Sequence, residues 1–389
     1  MPDALTLSAF VTAVTLGQAL LSGSVLISRT QHSHVYRPLA ICFFALAVSS
    51  VAAIVDAPVF EAWPKAVPHL MAGTSLSADL LILPMFWFYV RGMTSENANV
   101  WTRRDWFHLI PAVLGLLVLT VLLFTSNEDR IDLFDSGRDR NSSLQTFLFA
   151  SIIALYVLWL NQWLFYAVAI LKRLLTYRKR LRELFASTEK MELTWVGWLG
   201  VLILMDWAWV TGVFALEVFT DIQPVEEPWL SILGLVLVWT IAIWGLRQVP
   251  GLATEVAAAK AAEDFAPKYE KSALGTEQME TLASRIEAAM ERDKLHRDAN
   301  LSLSVLAKRV GARPNYVSQT INAALGSHFF DYVNLWRVND AKTKLASNTD
   351  TVLDVAFAVG FNTRSSFYTA FKRHTDMTPT AWRKHNTRT

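Results

Sequence analysis

The sequence predicts an all-α protein, in which a seven-helix transmembrane bundle is followed by a helical connector and by a compact helical domain with two helix-turn-helix units. Residues 1–246 hold seven apolar runs, each near the roughly 20 residues needed to cross a bilayer. Residues 300–389 instead hold twelve Lys and Arg against five Asp and Glu. We therefore divide the chain into domains at 1–246, 247–290 and 291–389.

The predicted spans have limits that are approximate by a few residues. They cover residues 5–28, 38–60, 69–90, 107–125, 144–171, 194–219 and 228–246. The first span does not resemble a cleavable signal peptide, because its apolar run is too long and Asp3 is the only charge before it. We therefore expect this span to stay in the protein.

The Lys and Arg residues of the predicted loops indicate the orientation, because short cytoplasmic loops carry an excess of them. Alternate loops beginning with 29–37 hold twelve Lys and Arg, whereas the other loops hold four and are rich in Asp and Glu. The amino terminus is therefore predicted outside a cytoplasmic (inner) membrane. Seven crossings then bring residue 247 and the basic domain into the cytoplasm.

Two carboxylates fall within predicted spans, Asp79 in the third and Asp206 in the sixth. A charge at that depth is costly unless it is neutralised, paired or hydrated, and no Lys or Arg lies in a span core to pair with them. One interpretation is a pocket that senses a proton or a small molecule. The other is hydrogen bonding that joins helices, and the sequence leaves both open.

Several chemistries lack the residues they need. The only cysteine, Cys42, lies in an apolar run, so neither an intrachain disulfide nor a cysteine-based metal site is expected. The last span has no Lys to form a retinal Schiff base, and His32 and His34 lack further obvious ligands. No nucleophile with a nearby base and no phosphate loop occurs. We expect no enzyme activity, no cofactor and no metal.

The connector is predicted to be helical. An alanine-rich helix is expected over residues 253–266, and an amphipathic helix over residues 276–295. The apolar residues of the amphipathic helix recur at three-to-four spacing: Met279, Leu282, Ile286, Ala289 and Met290. This stripe can pack on the following domain or on its twin in a homodimer, and the sequence does not decide between them.

Residues 351–384 carry the densest run of local signals in the chain. Thr351 and Asp354 form a capping box that starts a helix, which Gly360 ends, with Phe361 as an anchor of the turn. Asn362 can cap a second helix. The inward residues of that helix are Phe367, Ala370 and Phe371, and the outward residues are Arg364, Ser365, Tyr368, Thr369 and Lys372. A third, short helix begins at Thr378 and Pro379.

A similar unit lies upstream. Ser302 can cap a helix that Gly311 ends, and Pro314 opens a second helix that Gly326 stops. Arg313, at the cap position before this helix, is a poor cap. The inward residues are Val317, Ile321 and Leu325, and the outward residues are Asn315, Ser318, Gln319 and Asn322. A longer helix over 329–347 joins the two units.

This arrangement closely resembles the DNA-binding domain of the AraC/XylS family of transcription regulators. The second unit matches the family pattern at Ala356, Gly360, Phe361, Phe367, Phe371, Lys372, Thr378, Pro379 and Trp382. The joining helix matches at Phe329, Tyr332, Val333, Arg337, Val338, Ala341, Lys342 and Leu345. The resemblance covers about the last quarter of the chain, roughly Glu291 to Lys384. It implies a seven-helix-type double helix-turn-helix DNA-binding domain.

In that family the two recognition helices enter successive major grooves, about 34 Å apart. By position in the motif, base contacts would come from the outward residues of both helices: Asn315, Ser318, Gln319, Asn322, Arg364, Ser365, Tyr368 and Thr369. Arg364 is the expected guanine reader, because a guanidinium can bond both acceptors of that base. Lys372, Arg373 and Arg309 would contact phosphates or remain surface charges.

The two halves together predict a membrane-embedded one-component transcription regulator that couples a signal in the membrane to promoter DNA. Its expected partners are promoter DNA, the lipid bilayer and a small molecule or proton as the signal. The alternative is a membrane receptor or transporter with a regulatory cytoplasmic tail. A transporter is disfavoured because matching helix interruptions in the two halves are absent, Pro84 having no counterpart.

Overall fold

The computed structural model describes residues 4–56, 66–95, 102–134, 142–189, 191–219, 228–248, 250, 275–347 and 350–386. Within these ranges the regular structure is helical, and a single isolated bridge joins Phe185 to Ser302. The all-α prediction is confirmed. The chain divides into two compact units. The first unit comprises Met1–Arg173 and Thr194–Pro250, and the second comprises Leu174–Leu193 and Gly251–Thr389.

The first unit contains most of the apolar helices. These are α1 (Ala4–Ile27), α2 (Ser33–Asp56), α3 (Ala66–Met93), α4 (Ile110–Phe124), α5 (Asn127–Phe134), α6 (Ser143–Leu184), α7 (Thr194–Phe219) and α8 (Pro228–Arg247). A 3₁₀ helix over Arg103–Leu109 precedes α4. Six of the helices are long and apolar enough to cross a membrane, and Ser231–Arg247 forms a shorter apolar helix, so the predicted number of seven spans is approximate.

Helix α6 is longer than the span predicted from it. It runs for 42 residues and ends at Leu184, past the expected end at residue 171. The apolar run stops at Lys172, but the residues that follow are mainly Leu, Lys and Arg, which favour helix and include no Gly or Pro. The hydropathy pattern therefore located the apolar part of the helix and missed its charged continuation.

Hydrogen bonds in the first compact unit join α1 and α8. Nη2 of Arg29, after α1, donates to the carbonyl of Leu246 at 2.8 Å, and the Tyr36 hydroxyl donates to the carbonyl of Gln248 at 2.7 Å. The carboxyl ends of α1 and α8 are therefore neighbours. At their amino ends the hydroxyls of Ser8 and Ser231 lie 2.8 Å apart, so the two helices run parallel.

The second unit holds the last part of α6 and seven further helices. These are α9 (Thr276–Glu291), α10 (Leu303–Val310), α11 (Pro314–Ala323), α12 (Phe329–Ser347), α13 (Val352–Ala358), α14 (Arg364–Thr375) and α15 (Pro379–Asn386), with a 3₁₀ turn at Leu295–Arg297. They surround two apolar clusters. The first core includes Leu282, Ile286, Met290, Leu306, Val317, Ile321, Phe329 and Val333. The second core includes Val338, Leu345, Val355, Phe361, Phe367 and Phe371.

The connector helix α9 packs within its own chain. Leu282, Ile286, Ala289 and Met290 are buried in the first core, so the stripe expected to pack on the domain or on a twin packs on the domain. The helix ends at Glu291 rather than at residue 295, and Lys294 takes a left-handed conformation with φ of 51° before the 3₁₀ turn. The helix predicted over 253–266 lies outside the described residues.

Candidate nucleic-acid interface

The first helix-turn-helix unit consists of α10 and α11. The Ser302 side chain accepts a hydrogen bond from the backbone N–H of Val305 and caps α10, and Gly311 ends α10 in the left-handed region with φ of 67°. Helix α11 begins at Pro314 without a side-chain cap from Arg313, as the sequence predicted. Val317 and Ile321 are fully buried on its inner side, which turns the other face of α11 outward.

The second helix-turn-helix unit, formed by α13 and α14, is stabilised by a capping box and a tight turn. The backbone N–H of Asp354 donates to Oγ1 of Thr351 at 3.1 Å, and the Thr351 N–H donates to Oδ2 of Asp354 at 3.3 Å. Gly360 has φ of 98°, and a Cβ at this position would lie only 2.6 Å from the carbonyl oxygen of His296. Glycine is therefore required here both by conformation and by space.

The cap of the second recognition helix is Thr363, and the prediction of Asn362 was wrong. Oγ1 of Thr363 accepts from the backbone N–H of Ser366 at 3.1 Å. The Asn362 side chain instead donates to the carbonyl of Ala299 at 3.0 Å. Asn362 precedes the cap position by one residue and ties the turn to a distant loop, a contact that local sequence does not reveal.

The residues predicted to read DNA lie on the outer sides of α11 and α14. In α11, Asn315 and Asn322 are exposed, and Ser318 and Gln319 are partly exposed. In α14, Arg364, Ser365, Thr369 and Lys372 are exposed and Tyr368 is half-buried. The opposite side of α14 is anchored by Phe367 and Phe371, both fully buried in the second core. Each unit therefore presents a polar helix face on a fixed base, and the individual base contacts stay predictions.

Arg364 is ordered by a neighbouring aromatic ring. Its Cζ lies 5.0 Å from the centroid of the Tyr368 ring, and its Nη2 donates to the Tyr368 hydroxyl at 3.3 Å. That hydroxyl also lies 3.1 Å from Oγ1 of Thr380. The hydrogen bond with Thr380, followed by that from Arg364, lowers the pKa of Tyr368. A stacked guanidinium loses less freedom when it binds a planar acceptor pair.

Two of the cations considered for phosphate contact have carboxylate partners. Arg373 of α14 pairs with Asp331 of α12 at 2.7 Å, and Arg309 of α10 pairs with Asp293 at 2.8 Å. These pairs are exposed and therefore contribute little to stability. They favour the interpretation of Arg373 and Arg309 as surface charges, while Lys372 stays exposed on the recognition helix.

The burial of Arg337, in α12, and its hydrogen-bond partners were not predicted from the sequence. Its side chain is fully buried, and it donates from Nε to the carbonyl of His296 at 2.8 Å and from Nη2 to the carbonyl of Asp298 at 2.9 Å. Burial lowers its pKa to about 10, so it remains charged at neutral pH. The family pattern contains this arginine, but the pattern does not indicate its partners, which are distant in sequence.

Of the two carboxylates in the predicted spans, only the side chain of Asp79 lies within the described residues. Asp79 of α3 is half-buried and lies close to Ser49 of α2, and both the sensing and the interhelical interpretations of this residue stay open. Asp206 belongs to α7, but its side chain lies outside the described residues. A shared sensing role for Asp79 and Asp206 therefore stays a prediction.

Comparison with known proteins finds relatives of the carboxy-terminal domain. Residues 306–385 match a family described as a helix-turn-helix domain. An uncharacterized HTH-type transcriptional regulator of Staphylococcus aureus (strain COL) is 34% identical over 90 residues, which are 23% of this chain and 12% of that protein. The melibiose operon regulatory protein of Escherichia coli (strain K12) is 26% identical over 87 residues, 22% of this chain and 29% of that protein.

Solved structures are similar to about a quarter of the chain. The C-terminal domain of AraT, a response regulator from Geobacillus stearothermophilus, is 26% identical with a TM-score of 0.24 and covers 27% of this chain and 87% of that one. The C-terminal domain of the two-component response regulator yesN from Fusobacterium nucleatum is 27% identical with a TM-score of 0.24, over 28% and 99% of the two chains.

The carboxy-terminal part of the chain is a double helix-turn-helix domain. It is of the AraC type, as the resemblance predicted. The chain spans only 12% of the length of the staphylococcal regulators that it matches, so the likeness concerns this domain alone.

Proposed function

We propose that the protein is a membrane-embedded one-component transcription regulator, whose membrane helices sense a signal and whose AraC-type domain binds promoter DNA. The observation that carries this proposal is the presence, in one chain, of apolar helices long enough to cross a bilayer and of two helix-turn-helix units with outward polar faces. The relatives named as transcription regulators support the DNA-binding part. The catalytic machinery of an enzyme is not needed for this role.

Two features of the domain suit it to DNA. The first is the surplus of seven basic residues over acidic ones in residues 300–389, which attracts the phosphate backbone. The second is the pairing of recognition helices α11 and α14 through α12, because two helices joined rigidly can enter two successive major grooves. Arg364 is the residue proposed to read guanine, and Lys372 the residue proposed to contact phosphate.

The first expected result concerns topology. We expect residue 389 in the cytoplasm and residue 1 outside, since one set of alternate loops holds twelve Lys and Arg against four in the other set. Arg29, in the first loop of the basic set, bonds to the carboxyl end of α8. Fusions of a reporter that is active on only one side of the membrane, placed at each terminus, measure this directly. A fusion within the 29–37 loop is the control and should report the cytoplasmic side. A carboxy terminus found outside would contradict both the topology and DNA binding.

A cavity among the membrane helices supports the sensing part of the proposal. It measures about 360 Å³, is lined by parts of α1, α2, α3, α6, α7 and α8, and is mostly apolar. Its polar lining includes Thr12, Thr15, Cys42 and Ser231. Nε1 of Trp163, which also lines it, is buried without a hydrogen-bond partner within the described residues. Asp79 is not among the residues that line it.

This cavity has the size and the lining of a small-ligand site. The hydroxyls of Thr12 and Thr15 already donate to the carbonyls of Ser8 and Val11, both at 2.9 Å, and the Ser231 hydroxyl is paired with that of Ser8. Since a thiol such as that of Cys42 is a weak donor, the indole N–H of Trp163 is the strong side-chain donor that this lining offers to a ligand. We therefore propose that the signal is a small apolar molecule with one hydrogen-bond acceptor. The proton-sensing role of Asp79 and Asp206 is the competing proposal for the same function.

The two sensing proposals differ in which variant should lose its response to the signal. Trp163→Phe should reduce the reporter response to an apolar ketone or ester by about 5- to 150-fold, because one buried hydrogen bond of about 1 to 3 kcal/mol is lost. Asp79→Asn should leave that response near normal. The measurement is a dose–response curve of a promoter reporter across a panel of such compounds. An unchanged curve for Trp163→Phe together with a changed pH response for Asp79→Asn would reverse the assignment.

A further inference from the structure

The loop after the long helix α6 is part of the DNA-binding core. We call Leu184–Glu189 the docking segment. Phe185 forms an antiparallel bridge with Ser302, and the backbone N–H of Ala186 donates to the carbonyl of Leu301 at 3.0 Å. The side chain of Ala186 is 1% exposed and belongs to the first core. The segment is therefore attached at the start of α10, the first helix of the first helix-turn-helix unit.

Arg337 forms a second attachment of the docking segment. Its Nη1 donates to the carbonyl of Ala186 at 3.1 Å and to Oγ of Ser187 at 3.0 Å. The carboxylate of Glu189 adds an opposite charge that favours the protonated guanidinium. Just before the segment, Cζ of Arg182 lies 5.5 Å from the centroid of the Phe330 ring. The segment thus supplies acceptors that a fully buried cation needs.

Arg337 lies where the two helix-turn-helix units meet. Along α12, Val333 belongs to the first core and Val338 to the second. The guanidinium Cζ of Arg337 lies 5.5 Å from the centroid of the Phe361 ring, which anchors the turn of the second unit. The side chain of Arg337, which belongs to α12, therefore contacts both the docking segment and the second helix-turn-helix unit.

We propose that the docking segment regulates the arrangement of the two recognition helices, and that the docked form is the one competent to bind two successive grooves. This inference rests on the proposed function as a DNA-binding regulator. If the segment leaves, Nη1 of Arg337 loses the carbonyl of Ala186 and the hydroxyl of Ser187. Nη1 then keeps only the 3.4 Å hydrogen bond to Oδ1 of Asn334, while Nε and Nη2 keep the carbonyls of His296 and Asp298. A buried charge that loses some of its partners is destabilised, so the guanidinium must turn or become hydrated. The junction between the units then loosens.

The docked form leaves the DNA-reading faces open. The contacts of the segment described above lie at Leu301 and Ser302, before and at the cap of α10, and on α12, whereas the predicted base contacts lie on α11 and α14. Docking therefore does not compete with DNA. Docking instead fixes the distance between α11 and α14 that a DNA site of two successive grooves requires. A site of one groove needs only one helix-turn-helix unit.

Helix α6 supplies the connection to the membrane. It is one uninterrupted helix from Ser143 to Leu184, and the docking segment follows it directly. A packed helix transmits a shift or rotation as a rigid element rather than absorbing it in a loop. A change in the membrane helices that displaces α6 thus acts on the docking segment without an intermediate partner.

The test uses the intact chain in lipid nanodiscs and compares Ala186→Lys with Ala346→Lys. The first variant places a long cation beside Arg337 in the first core, and the second makes the same change at an exposed position of α12. The probes are two DNA duplexes. The first carries the full site selected by the wild-type chain, and the second, the one-groove duplex, keeps only the part of that site that lies in one major groove. Ala186→Lys should weaken binding to the full site by about 5- to 150-fold, the usual range of coupling between sites.

The same variant should bind the one-groove duplex as the wild type does, and Ala346→Lys should match the wild type on both duplexes. Equal full-site binding by Ala186→Lys and wild type would overturn the inference. A wild-type chain with no sequence preference would instead overturn the proposed function, so the two failures are distinct. Hydrogen exchange at the Ala186 amide reports docking directly and should be faster in Ala186→Lys alone.

A reversible crosslink covers the case in which Ala186→Lys disrupts folding. Phe185→Cys with Ser302→Cys, in a Cys42→Ser background, places two thiols at bridge partners whose separation suits a disulfide. The oxidised protein should bind the full site at least as tightly as the same protein after reduction. Failure of the crosslink to form, or loss of full-site binding on oxidation, would overturn the proposal that the docked form binds DNA.

Discussion

Replacing Phe371 by alanine is expected to lower the free energy of unfolding of the second core by about 3 to 5 kcal/mol. The side chain is fully buried. The centroid of its ring lies 5.5 Å from that of Phe367 and 6.1 Å from that of Trp382. Its removal leaves a cavity between α14, α15 and α12, and the surrounding helices cannot close it without moving. Native-state hydrogen exchange of peptides from α13 and α14 in the intact chain measures this loss locally.

The matched control is Phe357→Ala in α13. Phe357 is 51% exposed, so the same change of residue there should alter stability by no more than about 0.5 kcal/mol. A loss of similar size at both positions would mean that exposure does not separate the two phenylalanines, and would contradict the packing of the second unit. Binding to DNA should fall in Phe371→Ala only in proportion to the unfolded fraction.

Replacing Arg364 by alanine is expected to cost about 1 to 3 kcal/mol of binding free energy on the preferred DNA site and to relax the preference at one base position. The side chain leaves from the first turn of α14, and the ring of Tyr368 holds its guanidinium in place. It can therefore reach a base edge without disturbing Phe367 or Phe371. Binding titrations of the intact chain on selected and scrambled DNA measure both effects.

Lys372→Ala is the comparison for Arg364→Ala. If Lys372 contacts a phosphate, its loss should weaken binding to all DNA alike and reduce the slope of log affinity against log salt by about one. Titrations at two salt concentrations distinguish this from the base-specific loss. If Arg364→Ala instead weakened selected and scrambled DNA equally, the assignment of Arg364 as a base reader would be wrong.

Features that depend on neighbouring residues were predictable from the sequence. Helix caps and helix-ending glycines act within one or two turns of the chain, so residue type and spacing are enough to specify them. Examples are the capping box of Thr351 and Asp354, the cap at Ser302, and Gly311 and Gly360. The inward stripes of α11 and α14 followed from helical periodicity in the same way. The outward polar faces then followed by elimination.

Features that depend on distant residues were not predictable. Asn362 was mistaken for a cap because its partner, the carbonyl of Ala299, lies 63 positions away. The charged extension of α6 was missed because hydropathy reports only the apolar part of a helix. For the stripe of α9, the sequence showed that it must be buried but did not show against which surface.

The sequence by itself determined the all-α class, the apolar helices long enough to cross a bilayer and the two helix-turn-helix units of the AraC-type domain, because hydrophobic length and local capping depend on consecutive residues. Only the tertiary structure decided how the domain is assembled around Arg337, which bonds to residues 41, 39 and 151 positions away in the chain. Such contacts carry no periodic signal, since a buried cation requires acceptors of the right geometry and any backbone carbonyl can supply one.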